Sequence, residues 1–476
     1  MTNARPMLSG SDLAGARAKL SGSNLAGARA KLSWSDLAGA RVGVWGLGRE
    51  GHANLRKLRA LGVDPVLVDD HPQAEAGGGT VLATGQGGLA ALERCDVVVK
   101  TPGLSRYRPE VSRLSGLGIP VVGGLGLWLA EADPRRVVCV TGTKGKSTTA
   151  SVIGHLLAGL GHRCLVGGNI GVVPYDPGQE GDFDYWVIEV SSYQATDLLC
   201  APPVVAVTSL HPDHLDWHGG VEQYYRDKLS MCSQPGAELT VANGDSDLLK
   251  ERADLLGPRV QWVSAGDDPG ADWMLPLGLL GQHNRRNALI ARRCLAALGV
   301  PGAGDDASLR AAAAGYQHLP SRLTPAGTVG GVIFVDDSLS TNVLPTLAAL
   351  DSFPGRRIAL IVGGHDRGID YGPLAVGVLA RQAPTLVLTL PDNGPRIHAE
   401  LEQTVAEMPK PPAYAGVTDC PDLEAAAMAG YRWAQPDGVV LLSPAAPSFG
   451  RFRDYADRSE AFAHAIRMIS DHQAGP

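Results

Sequence analysis

The segment TGTKGKST (Thr141–Thr148) concentrates the residues best suited to chemistry. It follows the apolar run VVCV and opens a helical pattern. Gly142 and Gly145 let backbone amides turn toward an anion, Lys146 can reach the β- and γ-phosphates of a nucleotide, and the Ser147 hydroxyl can ligate Mg2+. The widespread G-x-x-x-x-G-K-[ST] pattern would place Gly at position 140, where this chain has Val140, so the loop is the variant G-x-x-G-K-S. Glu189 ends the apolar strand of DYWVIEVSS, and a carboxylate at a strand end near such a loop suits a hard Mg2+ ion. Asn284 and Asn287 stand at i and i+3, on one helical face. Arg322 follows a proline at an expected domain boundary, where domain closure could bring a cation to a γ-phosphate. A second Gly-rich turn, GLGREG (Gly46–Gly51), follows a strand and opens a helix, and the pair Asp69–Asp70 ends the next strand. That is the dinucleotide fingerprint. It keeps an NAD-type oxidoreductase open as an alternative, and a non-catalytic nucleotide switch is another.

Strands and helices alternate around these turns from Arg41 onward. In the first third the strands are RVGVWG, PVLVDD and CDVVVK. VVCV, DYWVIEVSS and PVVAVTSL follow in the middle, and VIFVDDS, RIALIVGG, TLVLTL and GVVLLSP in the last part. Short apolar strands separated by helices imply parallel sheets wrapped by helices. Breaks near Asp133–Arg136 and Tyr316–Ser321 give four expected segments. Residues 1–40 form a mobile extension, 41–133 a Rossmann-like domain, 134–318 a P-loop-type domain with a mostly parallel sheet, and 319–476 a second Rossmann-like α/β domain. The extension carries a repeat: LSGSDLAGARAK (Leu8–Lys19), LSGSNLAGARAK (Leu20–Lys31) and LSWSDLAGARVG (Leu32–Gly43). The chain has 42 basic and 49 acidic residues, a net charge of −7, which leaves no nucleic-acid footprint. Its seven cysteines include no CxxC spacing, which argues against a disulfide framework or zinc site and for a reducing compartment. No apolar run approaches the roughly 20 residues of a membrane span. The chain therefore reads as cytoplasmic.

The phosphate loop resembles the TGTNGK[ST]T loop of the Mur ligases and the related folylpolyglutamate synthetases. Other elements follow in that family's order: GGNIG (Gly167–Gly171), IEVSSYQ (Ile188–Gln194), HPDHLDWHG (His211–Gly219), YYRDKL (Tyr224–Leu229), GQHNRRNA (Gly281–Ala288), LPSR (Leu319–Arg322), DDSLSTN (Asp336–Asn342) and LLSPAAPSF (Leu441–Phe449). The resemblance covers Arg41 to the C-terminus. The N-terminal domain and SPAxxSF point to the glutamate-adding, MurD-type branch. It implies ATP-dependent joining of glutamate to UDP-N-acetylmuramoyl-L-alanine through an acyl phosphate, with two Mg2+ ions. A monomer without nucleic-acid partners is expected.

The same resemblance distributes roles. Lys146, Glu189, His214, Lys228 and Arg322 would be catalytic. Ser147, Glu189, His214 and Lys228 would face metal, Lys228 as a carbamate, although without the resemblance a histidine beside a strand end reads as structural and Lys228 as an exposed helix lysine. ATP would meet Gly142, Thr143, Lys144, Gly145, Lys146, Ser147, Thr148, Asn284, Asn287, Arg322 and Asp337. The UDP-substrate would meet Gly48, Arg49, Glu50, Asp69, Asp70, Thr101, Gly103 and Asn169. Thr341, Arg367, Ser448, Phe449 and Tyr455 would line the amino-acid pocket. Departures from the family pattern are Lys144 for asparagine, Leu339 for a usual lysine, Arg367 where many relatives have lysine, and Ala446–Pro447 within SPAAPS. Most lie where the incoming amino acid binds. They favour a variant branch that adds L-glutamate and relies on a separate epimerase, over the standard D-glutamate ligase.

Overall fold

The computed structural model describes residues 32–72, 79–179, 181–407 and 413–474. The first two repeats lie outside those residues. The third does not behave as an extension. Ser33 starts a 3-10 turn, Trp34–Leu37, in which the Asp36 carboxylate accepts from the Ser33 backbone N–H at 3.0 Å and from its hydroxyl at 2.9 Å. Trp34 and Leu37 are fully buried, and Trp34 packs against Tyr175 with ring centroids 5.1 Å apart. Residues 32–40 therefore belong to the packed body. The reason is one residue type: Trp34 stands where the earlier copies have Gly10 and Gly22, and an indole carries enough apolar surface to anchor the turn.

Among the described residues three separate sheets follow in sequence. In the first, β1 (Val42–Trp45), β2 (Val66–Asp69), β3 (Val81–Ala83), β4 (Val97–Lys100) and β5 (Val121–Gly123) are parallel in the order β3-β2-β1-β4-β5. The second holds β6 (Val137–Thr141), β7 (Cys164–Gly168), β8 (Tyr185–Glu189), β9 (Val204–Val207), β10 (Leu239–Asn243) and β11 (Val260–Val263). All are parallel in the order β11-β10-β9-β6-β8-β7. The third runs β12-β13-β17-β14-β15-β16, from β12 (Thr324–Val329), β13 (Val332–Asp336), β14 (Ile358–Val362), β15 (Thr385–Thr389), β16 (Tyr414–Asp419) and β17 (Val439–Leu442). Among the described residues only β12 is antiparallel, and it lies at an edge, where Pro325 forfeits no interior ladder bond.

The central strands are runs of Val, Ile, Leu and Ala because helices cover both faces of a parallel sheet. β6, β14 and β17 are buried at every position. The chain forms two compact units. The first two sheets share one, with Gly278–Arg285 excluded and a common hydrophobic cluster running from Trp34 through Val44 and Tyr175 to Val207. The second comprises Gly278–Arg285 and Tyr316–Pro476, with one apolar cluster around Leu360 and Val378 and another around Ile361 and Phe462. Among the described residues no helix is long and apolar enough to cross a membrane.

Candidate active site

Chemistry-bearing residues gather at the carboxyl ends of the second sheet's central strands, where open α/β sheets place their ligands. The β6 chain turns through Gly142 and Gly145, with φ of 137° and 87°, into the helix Lys146–Gly159. A Cβ on Gly142 would sit 2.2 Å from Thr208 Oγ1, so glycine is required there by space as well as by backbone angle. The loop is braced from strand β9. Thr208 Oγ1 donates to the Lys144 carbonyl at 2.6 Å, the Lys144 amide donates to Ser209 Oγ at 2.8 Å, and Thr143 Oγ1 accepts from the His211 amide at 3.0 Å. Lys144 Nζ lies 3.6 Å from Asp213, a partner for the charge that distinguishes this loop. Asn287 faces the loop, its amide atoms 3.0 and 3.2 Å from where a Gly145 Cβ would stand. Lys146 Nζ donates to the Thr143 carbonyl at 3.1 Å, curled over the helix N-terminus, the natural seat for an anion.

Glu189, the last residue of β8, is 1% exposed. Its carboxylate accepts from Ser147 Oγ at 2.6 Å and from Asn169 Nδ2 at 2.8 Å. Asn169 is thus tied to Glu189 rather than pointing away from it. Lys228, 2% exposed on the helix Val221–Leu229, donates to the Gly142 carbonyl at 3.1 Å. Burial first, and then the charge of Lys146, hold its amine well below the ordinary lysine range. That amine sits directly against the phosphate loop. His214 caps the short helix Leu215–His218 in a left-handed conformation (φ 51°), with its ring 5.1 Å from that of Tyr193. Burial lowers its pKa, which favours the neutral imidazole a metal would need. Among the described residues no group of three or more His, Cys, Asp or Glu is placed to hold a metal ion. The oxygen donors that are present, the Ser147 hydroxyl beside the Glu189 carboxylate, fit a hard cation such as Mg2+.

The first sheet carries its own Gly-rich turn at the carboxyl end of β1. Gly51 is fixed by packing: a Cβ there would lie 2.0 Å from the Gly46 carbonyl. Asp69 accepts from the Leu47 amide at 2.7 Å and the His71 amide at 2.9 Å, while Asp70 pairs with Arg108. Gly48 is exposed at the helix start, and Thr101 is buried beneath Gly46. Arg49 and Glu50 take contacts that the sequence did not suggest. Arg49 donates to the carbonyls of Gly168, Asn169 and Gly171 at 3.0–3.1 Å, bracing the GGNIG turn. Glu50 accepts from Gln194 Nε2 at 2.8 Å, and burial pushes its carboxyl up to about 7. Beside it, Lys100 and Asp197 form a buried ion pair at 2.5 Å.

In the second unit, loops at the ends of β13, β14 and β17 carry the remaining candidates. Asp337 accepts from the Leu323 amide at 3.1 Å and from the Ser443 hydroxyl at 2.7 Å, and also from Ser340. Both oxygens are engaged internally, and burial raises the carboxyl to about 7. Its work in this arrangement is to pin the turn around half-buried Arg322, whose neighbours Ser321 and Leu323 hold positive φ of 59° and 53°. Ser448 is buried, Thr341 half-buried, and Phe449 and Tyr455 exposed; Arg367 lies over the Phe449 ring at 5.8 Å. Asn284 is buried and donates to the Leu280 carbonyl at 2.9 Å. Sequence reasoning passed over Arg458. It is fully buried and donates to the carbonyls of Ser338 (2.7 Å) and Ala446 (3.1 Å), tying DDSLSTN to SPAAPSF. His218 and Asp227 were passed over too, although each lies within a quoted motif.

The Mur ligase middle domain matches residues 140–275. The UDP-N-acetylmuramoyl-L-alanine–L-glutamate ligase of a Micromonospora sp. is 42% identical over 459 residues, 91% of this chain and 98% of that protein. Its namesake from Salinispora tropica is 41% identical over 456 residues, covering 90% and 97%. Among solved structures, UDP-N-acetylmuramate-alanine ligase MurC from Thermotoga maritima superposes with a TM-score of 0.52 at 18% identity, covering 90% of this chain and 99% of that one. MurF ligase from Thermotoga maritima, in complex with ADP, gives 0.52 at 14% identity, covering 94% and 99%. Taken with these relatives, the three largely parallel sheets and the phosphate loop on the second of them are those of an ATP-dependent amide-bond-forming ligase. The chain belongs to the Mur ligase family, and its reaction serves peptidoglycan synthesis. That excludes the oxidoreductase reading of GLGREG.

Proposed function

We propose that this ligase joins L-glutamate to UDP-N-acetylmuramoyl-L-alanine, releasing ADP and phosphate. The carrying observation is the buried Lys228 amine, which donates to the Gly142 carbonyl of a phosphate loop that also presents Lys146 and the Ser147–Glu189 pair. Joining a carboxylate to an amine in water needs activation. The substrate carboxylate attacks the γ-phosphorus and ADP leaves; the glutamate amine attacks the acyl phosphate, and phosphate departs from the tetrahedral adduct. Lys146 and the loop amides neutralise the phosphates, and Arg322 adds charge compensation. Asn284 and Asn287 serve the nucleotide. Ser147, Glu189, His214 and Lys228 would hold two Mg2+ ions, which when bound draw the two anions together. A neutral lysine amine adds to CO2 with loss of a proton, giving a carbamate. This converts Lys228 from a buried base into an anionic oxygen ligand.

The UDP moiety is assigned to the first sheet's turn, at Gly48, Asp69, Asp70, Thr101 and Gly103, with Arg49, Glu50 and Asn169 shaping its rim. Glutamate is assigned to Thr341, Arg367, Ser448, Phe449 and Tyr455. The relatives' names carry L-glutamate, and the pocket departures support it: Leu339 removes the usual cation while Arg367 supplies one after GGHD. Enantiomers share charge, so relocating a cation is how a site separates them. We assign the segments 41–133, 134–318 and 319–476 to UDP-substrate, ATP and amino acid respectively. The protein would act as a cytoplasmic monomer, followed by an epimerase.

The test is kcat/KM with each glutamate enantiomer, UDP-N-acetylmuramoyl-L-alanine, Mg2+ and ATP. L-Glutamate should win, with ADP as product; a D preference returns the protein to the standard branch, and AMP refutes the mechanism. Lys228→Ala should lose at least about a hundredfold in kcat, the scale of removing one preorganised electrostatic group. Short carboxylates should restore part of it.

A further inference from the structure

The segment Thr101–Tyr107, which follows strand β4 of the first sheet, is stitched to the second sheet by a set of side-chain bonds. Trp217 Nε1 donates to the Gly103 carbonyl at 3.2 Å, and Ser105 Oγ donates to the Trp217 carbonyl at 3.3 Å. Tyr107 donates its hydroxyl to Asp227 Oδ1 at 2.6 Å. Gln223 Nε2 donates to the same Asp227 oxygen at 2.8 Å and to the Tyr107 hydroxyl at 2.9 Å. The other carboxylate oxygen, Oδ2, takes His218 Nδ1 at 2.6 Å, and His218 Nε2 lies 3.0 Å from Ser192 Oγ. Asp227 and His218 are 6% and 2% exposed, so the bonds joining Asp227, His218 and Ser192 are made in a low-dielectric setting, whereas Tyr107 reaches Asp227 from a partly exposed position. Tyr193 adds a stacked layer, 4.5 Å from the Trp217 ring and 5.6 Å from that of His218.

Asp227 immediately precedes Lys228. Consecutive side chains on a helix diverge by roughly 100°, so fixing one sets the direction of the next. We propose that Asp227, clamped by Tyr107, Gln223 and His218, is a positioning residue. It aims Lys228 at the phosphate loop and transmits the placement of the Thr101–Tyr107 turn to it. Binding of the UDP-substrate by that turn thereby steadies the Lys228 side chain that the chemistry requires. This inference rests on the assignments of Lys228 and of the turn made under Proposed function. His218 holds the clamp from the other side and also joins it to Ser192, two residues before the Gln194 that meets Glu50.

The test compares Tyr107→Phe, Asp227→Asn and the double variant with the wild-type chain. Asp227→Asn preserves volume and one oxygen, so it should fold; its kcat should fall by about tenfold or more, as for a lost hydrogen bond to a charged group. KM for ATP should stay within about threefold, because no nucleotide contact is removed. Tyr107→Phe should raise KM for the UDP-substrate several-fold, and the double variant should be no slower than Asp227→Asn alone, since both act through one clamp. Wild-type kinetics in both single variants, or losses that multiply in the double variant, overturn the proposal. Hydrogen exchange gives a readout independent of turnover. UDP-N-acetylmuramoyl-L-alanine should slow amide exchange across residues 221–229 in the wild type and not in Tyr107→Phe; equal slowing in both overturns the coupling. A wild-type chain that shows this protection yet forms no ADP would refute the ligation reading alone.

Discussion

Glu50 sits in the first turn of the helix Arg49–Ala60, where the dipole favours an anion, yet burial outweighs that and raises its carboxyl to about 7. An unfolded glutamate titrates near 4.5. Between those values the unfolded chain loses the proton and the folded chain keeps it, so Glu50 makes stability fall as pH rises from about 4.5 to 7, then level off. At about 1.4 kcal/mol per unit, the penalty reaches roughly 3–4 kcal/mol at most. Glu50→Gln keeps an acceptor for Gln194 and removes the titration. Its stability advantage over the wild type in urea melts should be absent below pH 4.5, grow to about pH 7 and stay constant above. An advantage independent of pH would show that the carboxyl is not held protonated. Legibility at this scale follows sequence distance. Thr141–Thr148 could be read because eight consecutive residues carry one function. The partners of Asp227 could not: Tyr107 is 120 residues away, and only the meeting of two sheets brings it within 2.6 Å.

Strands were legible in proportion to their burial. The runs read from sequence, β1, β2, β4, β6, β8, β9, β13, β14, β15 and β17, all lie inside their sheets. The unread ones include every sheet edge, namely β3, β5, β7, β11, β12 and β16, with β10 beside one of them. An edge strand meets solvent along one side and on part of its faces, so its sequence is shorter or more mixed. TPAGTV is β12, and its Pro and Gly read as a turn. The third repeat was misread for the opposite reason, since a polar Gly- and Ala-rich frame concealed one anchoring indole. Trp34→Gly recreates the sequence of the earlier copies at that position. It should lower the unfolding free energy by about 3–5 kcal/mol, the usual cost of emptying a large aromatic site, measured by urea denaturation. An unchanged midpoint would mean that the turn contributes nothing to the shared core.

At the scale of the molecule, two units divide the labour. The first holds the phosphate loop, Glu189 and Lys228; the second holds the loops assigned to the amino acid. The expected division at Asp133–Arg136 separates two sheets that share one hydrophobic cluster, so a composition break in the sequence does not mark a break in the core. The second unit is different in kind. Its sheet is covered on both faces by its own clusters, one including Leu360, Val378 and Leu401, the other Ile361, Phe462 and Ile469. Its length falls within the typical range for an independent domain, roughly 50–250 residues. A fragment spanning residues 316–476 should therefore fold alone, with a single cooperative thermal transition by circular dichroism. It should show no ATP turnover, because Lys146, Ser147 and Glu189 are outside it. The fragment lacks Gly278–Arg285, which packs with this unit in the intact chain, so its transition should lie a few degrees below that of a second fragment in which this octapeptide is fused ahead of Tyr316. A broad, non-cooperative melt in both fragments would show that the two apolar clusters cannot sustain this sheet without the rest of the chain.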